Sequence, residues 1–215
     1  MTAHTSFLDY VLPHVPGCTN ELALHEIKNT IIDFCEKSLV LQADQEPVTI
    51  IAGINEYDLD PPKERLAVKI LRAWYKAIPL EAIAPDDVTT SAVYNPNSGV
   101  TITKADPRWY IQKDPRTYTL YPIPKDTARL ALTMRLALKP TRAVTSIDDI
   151  IFEEYAEIIG HGAIARLAIS PGKPYTNFDL AMGRASLYQA GLNVARDRAQ
   201  KGYARANRRV QLRRV

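Results

Sequence analysis

The sequence predicts an α+β fold: a bundle of one N-terminal and two C-terminal helices, an inserted antiparallel β domain, and an extended basic C-terminal arm. Three observations carry this. Apolar residues recur at helical spacing towards both ends of the chain. Eleven of the fifteen prolines, both tryptophans and six of the eleven tyrosines fall between Pro47 and Pro140, a mixture that breaks helices and favours strands and turns. Charge is divided as well: residues 184–215 hold nine Lys or Arg against one acid, so beneath an overall +3 the remainder of the chain is net −5. The expected boundaries are 1–45 and 141–194 for the bundle, 46–140 for the β domain and 195–215 for the arm.

Taken in order, Pro13, Pro16 and Gly17 lead into Thr19, Asn20 and Glu21, start signals for a helix over 20–40 in which Leu24, Ile27, Ile31 and Phe34 share a face. In the middle section Val48–Ile51 and Tyr57–Leu59 flank Gly53 as a hairpin-like pair, and Leu66–Tyr75 reads as a further strand. Tyr118–Tyr121 is a strand stopped by Pro122 and Pro124; the Lys125-Asp126 turn then returns the chain antiparallel into the clearest strand. There Leu130, Leu132, Met134, Leu136 and Leu138 alternate with Arg129, Ala131, Thr133, Arg135 and Ala137, one face for the core and one for water. Ser146 to Asp149 and Thr176 to Asp179 are Ser/Thr-x-x-Asp arrangements expected to open the two later helices. From Ile150 to Ile169 the sequence is apolar almost all round, and Gly160, Gly162, Ala163 and Ala165 admit close neighbours, so this helix should be the buried centre of the bundle. In the last helix Leu180, Leu187 and Val194, with Gly183 and Ala190 between them, form the expected stripe of core contact. Beyond Val194 the cations Arg198, Lys201, Arg205 and Arg208 follow at helical spacing. A helix continuing there would leave the bundle, and with Gly202 inside it and no apolar face it needs a partner.

Composition excludes several classes. The 46 % hydrophobic and 24 % charged fractions belong to a folded globular chain rather than a disordered, collagen-like or fibrous one. No apolar run reaches the length of a membrane span, and Met1–Tyr10 lacks a basic segment followed by an apolar one, so neither a membrane helix nor a signal peptide is expected. Cys18 and Cys35 read as reduced thiols. The sequence has no Gly-x-Ser-x-Gly and no Gly-x-Gly-x-x-Gly; at Gly172-Lys173 the preceding phosphate-loop glycine is missing, and Pro174 stands where Ser or Thr would hold magnesium. His14, Cys18, His25 and Cys35 fit no compact zinc finger. Glu153, Glu157 and His161 share a helical face, but a di-iron Glu-x-x-His would need histidine where Gly160 stands, so they read as a solvated or interface-facing stripe. No catalytic residue, cofactor or metal is therefore expected. Trp74, Tyr75, Trp109, Tyr110, Tyr118 and Tyr121 read as sheet core and protein interface, because cations do not interleave with them as in a base-stacking platform. The basic C-terminus, by contrast, suits nucleic acid, an anionic membrane or an acidic protein surface.

Read as an ordered set, the segments resemble the head-to-tail adaptor (connector) proteins of tailed double-stranded DNA bacteriophages. The resemblance rests on Val11-Leu12-Pro13-His14-Val15-Pro16-Gly17-Cys18 before a helix with Ile31-Ile32-Asp33-Phe34-Cys35. It continues through Ala52-Gly53-Ile54-Asn55-Glu56-Tyr57-Asp58-Leu59, Pro61-Pro62 and Leu120-Tyr121-Pro122-Ile123-Pro124. It closes with Ile151-Phe152-Glu153-Glu154-Tyr155, Gly162-Ala163-Ile164-Ala165-Arg166-Leu167 and Pro171-Gly172-Lys173-Pro174-Tyr175 ahead of the long Ala/Arg helix. Asp106-Pro107-Arg108-Trp109-Tyr110 departs from the glycine-proline loop expected there. The resemblance implies a dodecameric ring under the portal protein in the neck of the virion, built in the host cytoplasm, with genomic DNA passing through it without sequence-specific binding and a tail completion, tail tube or nozzle protein below. It assigns portal contact to Arg196, Arg198, Lys201, Tyr203, Arg205, Arg208, Arg209, Leu212, Arg213, Arg214 and Val215, and offers Tyr94, Arg108, Trp109 and Tyr110 as tail-side contacts. The alternative is a DNA-binding regulator or packaging accessory that grips the duplex with the same arm; the acidic body and the lack of a helix-turn-helix with a basic second helix speak against it.

Overall fold

The computed structural model describes residues 1–84 and 104–202. It is a mixed α+β chain in two compact units, one of Met1–Val40 joined by the chain from Pro140 onward, the other of Leu41–Lys139.

In the first unit a short helix α1 (Leu8–Val11) precedes α2 (Asn20–Ser38). Thr19 caps α2, its hydroxyl accepting from the Leu22 amide at 3.4 Å, and Leu39 ends it in left-handed backbone. Ile27, Ile31 and Phe34 are fully buried, as their spacing requires, while Leu24 is half-buried. The later helices are α3 (Asp149–Ala168) and α4 (Phe178–Lys201), and α2, α3 and α4 all pack on one another. Glycine sets how closely they do so: a Cβ built on Gly162 of α3 would lie 2.6 Å from Thr30 Cγ2 on α2 and 2.9 Å from Tyr188 Cδ2 on α4.

Three expectations need correction here. Ser146 does not cap α3, because Ser146–Ile147 pair as a short strand with Thr2–Ala3; Asp149 instead receives the Met1 amino group at 2.7 Å and the Thr2 hydroxyl at 2.6 Å. The cap of α4 is Asn177, whose side chain accepts from the Leu180 amide at 2.9 Å, while the Thr176 hydroxyl donates to the Ser170 carbonyl. The core stripe of α4 is also turned by one position: Ala181, Tyr188, Leu192 and Ala195 are buried, whereas Leu187 and Val194 are 52 % and 62 % exposed. Tyr188 is the reason. Its hydroxyl donates to Asp33 at 2.8 Å and its ring lies against Gly162, so the aromatic takes the inward position and carries Leu187 and Val194 outward.

The second unit is a seven-stranded sheet of β1 (Gln42–Ile50), β2 (Glu56–Asp58), β3 (Arg65–Tyr75), β4 (Ile78–Ala82), β5 (Trp109–Ile111), β6 (Thr117–Tyr121) and β7 (Ala128–Pro140), in the order β1-β7-β3-β4-β5-β6-β2. Tyr75, Tyr118, Ile50, Ile70, Leu120, Leu132 and Leu136 fill its core. The sheet is mixed rather than purely antiparallel, since β4 and β5 run parallel across a connection long enough for a crossover. β1 and β2 are not a hairpin; they pair with β7 and β6 and sit at opposite ends of the sheet. Nor do β6 and β7 pair: after Lys125-Asp126 the chain enters a ladder between β1 and β3. On β7 Leu132, Met134, Leu136 and Leu138 face the core as alternation requires, but Leu130 is 56 % exposed at φ +49°. The cause is an irregular register: β7 advances four residues between Ala128 and Leu132 while β1 advances two, which throws Leu130 off the inward set. Ala137, placed on the wet face by alternation, is also fully buried.

Candidate docking surfaces

The cationic end of α4 begins on ordered helix. Arg196 Nε donates to the Lys37 carbonyl at 3.0 Å; Arg198 Nη1 donates to Glu154 Oε2 at 2.6 Å with its guanidinium 5.9 Å from the Tyr155 ring; and Lys201 Nζ donates to Asp197 Oδ2 at 2.6 Å. The helix therefore does not part from its neighbours at Val194: Ala195 is fully buried, and Arg196 and Arg198 tie the last turns to α2 and α3. α4 stops at Lys201, and Gly202 follows in left-handed backbone at φ +67°. The other expected portal contacts, Tyr203, Arg205, Arg208, Arg209, Leu212, Arg213, Arg214 and Val215, lie outside the described residues, as does Tyr94.

Of the remaining tail-side candidates, all in the second unit, Trp109 and Tyr110 lie on β5 and Arg108 directly precedes it. Arg108 is exposed, its amide donating to the Tyr121 carbonyl at 2.8 Å. Trp109, half-buried, packs with Ile83 on Ile111 and Tyr121. Tyr110 is 6 % exposed and its hydroxyl donates to the Ile70 carbonyl at 3.2 Å, so burial pushes its phenol pKa up and it belongs to the sheet core rather than to a docking surface.

Glu157 and His161 fall into a polar cluster that sequence reading did not assemble. Arg184 of α4 donates through Nη1 to His161 Nδ1 at 3.1 Å, and its Nη2 lies 3.3 Å from His14 Nδ1. Because arginine only donates, Nδ1 of His161 must be the acceptor, which puts the ring proton on Nε2, 3.8 Å from Glu157. Burial, then the Arg184 charge, hold His161 below its ordinary pKa. Cys18 and Cys35 are not joined in a disulfide, and among the described residues no three His, Cys, Asp or Glu side chains are grouped to hold a metal.

A second feature missed by sequence reading lies on the outer side of α2, where a groove of about 380 Å³ is lined by Asn29, Asp33, Arg142 and Arg166 among others. Arg142 comes from the chain before α3 and Arg166 from α3 itself, so no periodicity within one helix could reveal the pair. No described helix is long and apolar enough to cross a membrane.

Residues 18–212 match the family model of the SU10 adaptor protein, and the chain belongs to that family. This makes it a structural head-to-tail adaptor of a bacteriophage and a component of the virion. No curated protein matches the sequence.

Proposed function

We propose that the chain forms a ring, dodecameric in the manner of connectors, beneath the portal protein in the virion neck. There it joins the DNA-filled head to a tail completion, tail tube or nozzle protein. The helical unit would supply the wall of the ring and the basic C-terminal segment the portal anchor. DNA would pass through the ring without sequence-specific binding, and the role is mechanical rather than catalytic. The observation that carries this reading is the family match together with the way α4 ends: a helix held to α2 and α3 by Arg196 and Arg198 delivers five further arginines and no acid in residues 203–215. A segment of such charge suits an acidic partner surface, and repetition around a ring multiplies each weak contact.

The test is capture on purified portal. Because Ala195 and Arg198 belong to the packed helices, the informative truncation is after Gly202, which leaves every described contact in place. Loss of capture with an unchanged melting transition is the expected result; capture equal to the full chain sinks the anchor assignment. Tight, sequence-selective binding of free duplex at moderate salt would favour the DNA-binding regulator instead.

A further inference from the structure

The helical unit presents two surfaces on opposite sides of α3: one carries exposed carboxylates, the other a pair of arginines set beside Asp33 and Glu36. Towards α2, α3 turns Tyr155, whose ring centroid is 5.2 Å from that of Phe34, and Gly162, which lies against Thr30. Away from α2 it turns Ile150, Glu153 and Glu157. All three are exposed, Ile150 at 62 % and the Glu157 side chain at 80 %. α4 borders this side, since Arg184 meets His161, Gly191 lies against Ile158 and Arg198 reaches Glu154. Leu187 and Val194 alternate with those three contact residues at spacings of three and four, so their exposed side chains extend the same surface. This side of α3 and α4 thus carries three exposed large aliphatics together with two carboxylates.

The opposite side is the groove on α2. Arg142 spends one donor on Asn29 at 3.0 Å, and Arg166 stands 3.8 Å from Asp33 with 42 % of its side chain exposed. Asp33 is already engaged by the Tyr188 hydroxyl at 2.8 Å and by Lys37 at 2.7 Å. Each guanidinium has five donors, so both arginines keep capacity for carboxylates arriving from outside.

We propose that these two surfaces are the seam between copies of this chain: the Ile150, Glu153, Glu157, Leu187 and Val194 face of one copy seats against the Arg142–Arg166 groove of the next. Because the surfaces lie on opposite sides of one unit, the contact is head-to-tail and repeats until it closes, as a ring requires; a two-fold pairing would use one surface twice. The seam names the partner surface for the ring proposed above and rests on that reading for closure alone.

The experiment is sedimentation velocity of the full chain over a range of concentrations at low salt, with two charge-reversed variants. Glu153→Arg/Glu157→Arg reverses one surface and Arg142→Glu/Arg166→Glu the other. The wild-type mass should rise with concentration, each variant alone should associate at least about tenfold more weakly, and an equimolar mixture of the two should recover association, because each reversed face then meets a reversed groove. Leu187→Ser, at an exposed position that leaves the core intact, should weaken association in the same assay. A wild-type chain that stays monomeric throughout, variants that associate like wild type, or a loss that mixing does not repair would each overturn the seam. Capture on portal is measured on the same samples: a failed seam with retained capture rejects these surfaces and leaves the adaptor reading standing.

Discussion

His4 is 5 % exposed, neither ring nitrogen has a hydrogen-bond partner among the described residues, and Lys28 is near enough to oppose a positive charge. Burial first, then Lys28, lower its pKa from 6.5 to about 4. A depressed histidine pKa means that the unfolded chain binds the proton more readily than the folded one between those two values. Stability is therefore complete above pH 6.5 and falls as the pH drops, by about 2 kcal/mol at pH 5 and about 3 kcal/mol near pH 4, at 1.36 kcal/mol per unit. His161, also depressed, acts in the same direction. The perturbation is His4→Leu, which removes the titrating group at similar volume. The assay is urea unfolding of both proteins at pH 7.5, 6, 5 and 4. The difference in unfolding free energy should move in favour of the variant by about 2 kcal/mol between pH 7.5 and pH 5. Parallel decline of the two proteins over that range would refute the reasoning, because it would show that His4 is hydrated or paired in the folded state.

Where a segment's pattern was set by its own residues, the sequence was legible. Helix α2 follows from Thr19, Ile27, Ile31 and Phe34, and the inward face of β7 from Leu132, Met134, Leu136 and Leu138. What failed was decided by partners far along the chain. The stripe Leu180, Leu187 and Val194 is as apolar as the face that is buried, and the Tyr188 side chain, bonded to Asp33 155 residues away and packed on Gly162, selects between them. Strand pairing failed for a related reason. β1 and β2 are close in sequence, yet the Tyr57 hydroxyl closes the connection between them by donating to the Ile54 carbonyl at 2.9 Å while accepting from the Ile51 amide, and each strand takes its ladder from elsewhere. The candidate docking residues divide in the same way. A run of cations is visible in any sequence, but its engagement with Lys37 and Glu154 is not. The groove needs Asn29, Arg142 and Arg166 from three stretches of chain. Sequence reading thus placed one core stripe on α4, and the buried side is the neighbouring one, with Ala181, Tyr188, Leu192 and Ala195.

Three further outcomes are expected. Gly162→Ala should destabilise the helical unit by more than 1 kcal/mol, since its Cβ would need to displace Thr30 or Tyr188; a neutral effect in thermal unfolding would mean that the three helices can move apart. Arg198→Ala should leave the overall unfolding midpoint almost unchanged, because the arginine is exposed, yet hydrogen exchange in the last turn of α4 should rise; unchanged exchange would show that the pair does not hold that turn. The last concerns Leu130 and Leu132, which simple alternation treats as equivalent. Leu132 is fully buried, so Leu132→Ala should cost about 2 to 5 kcal/mol. Leu130 is 56 % exposed with φ +49°, a conformation that costs an L residue roughly 1 to 2 kcal/mol and glycine little. Leu130→Gly should therefore leave the unfolding midpoint unchanged or raise it, since relief of the left-handed backbone offsets the added freedom of the unfolded chain. A drop comparable to that of Leu132→Ala would show that β7 pairs in unbroken register and that Leu130 points into the core.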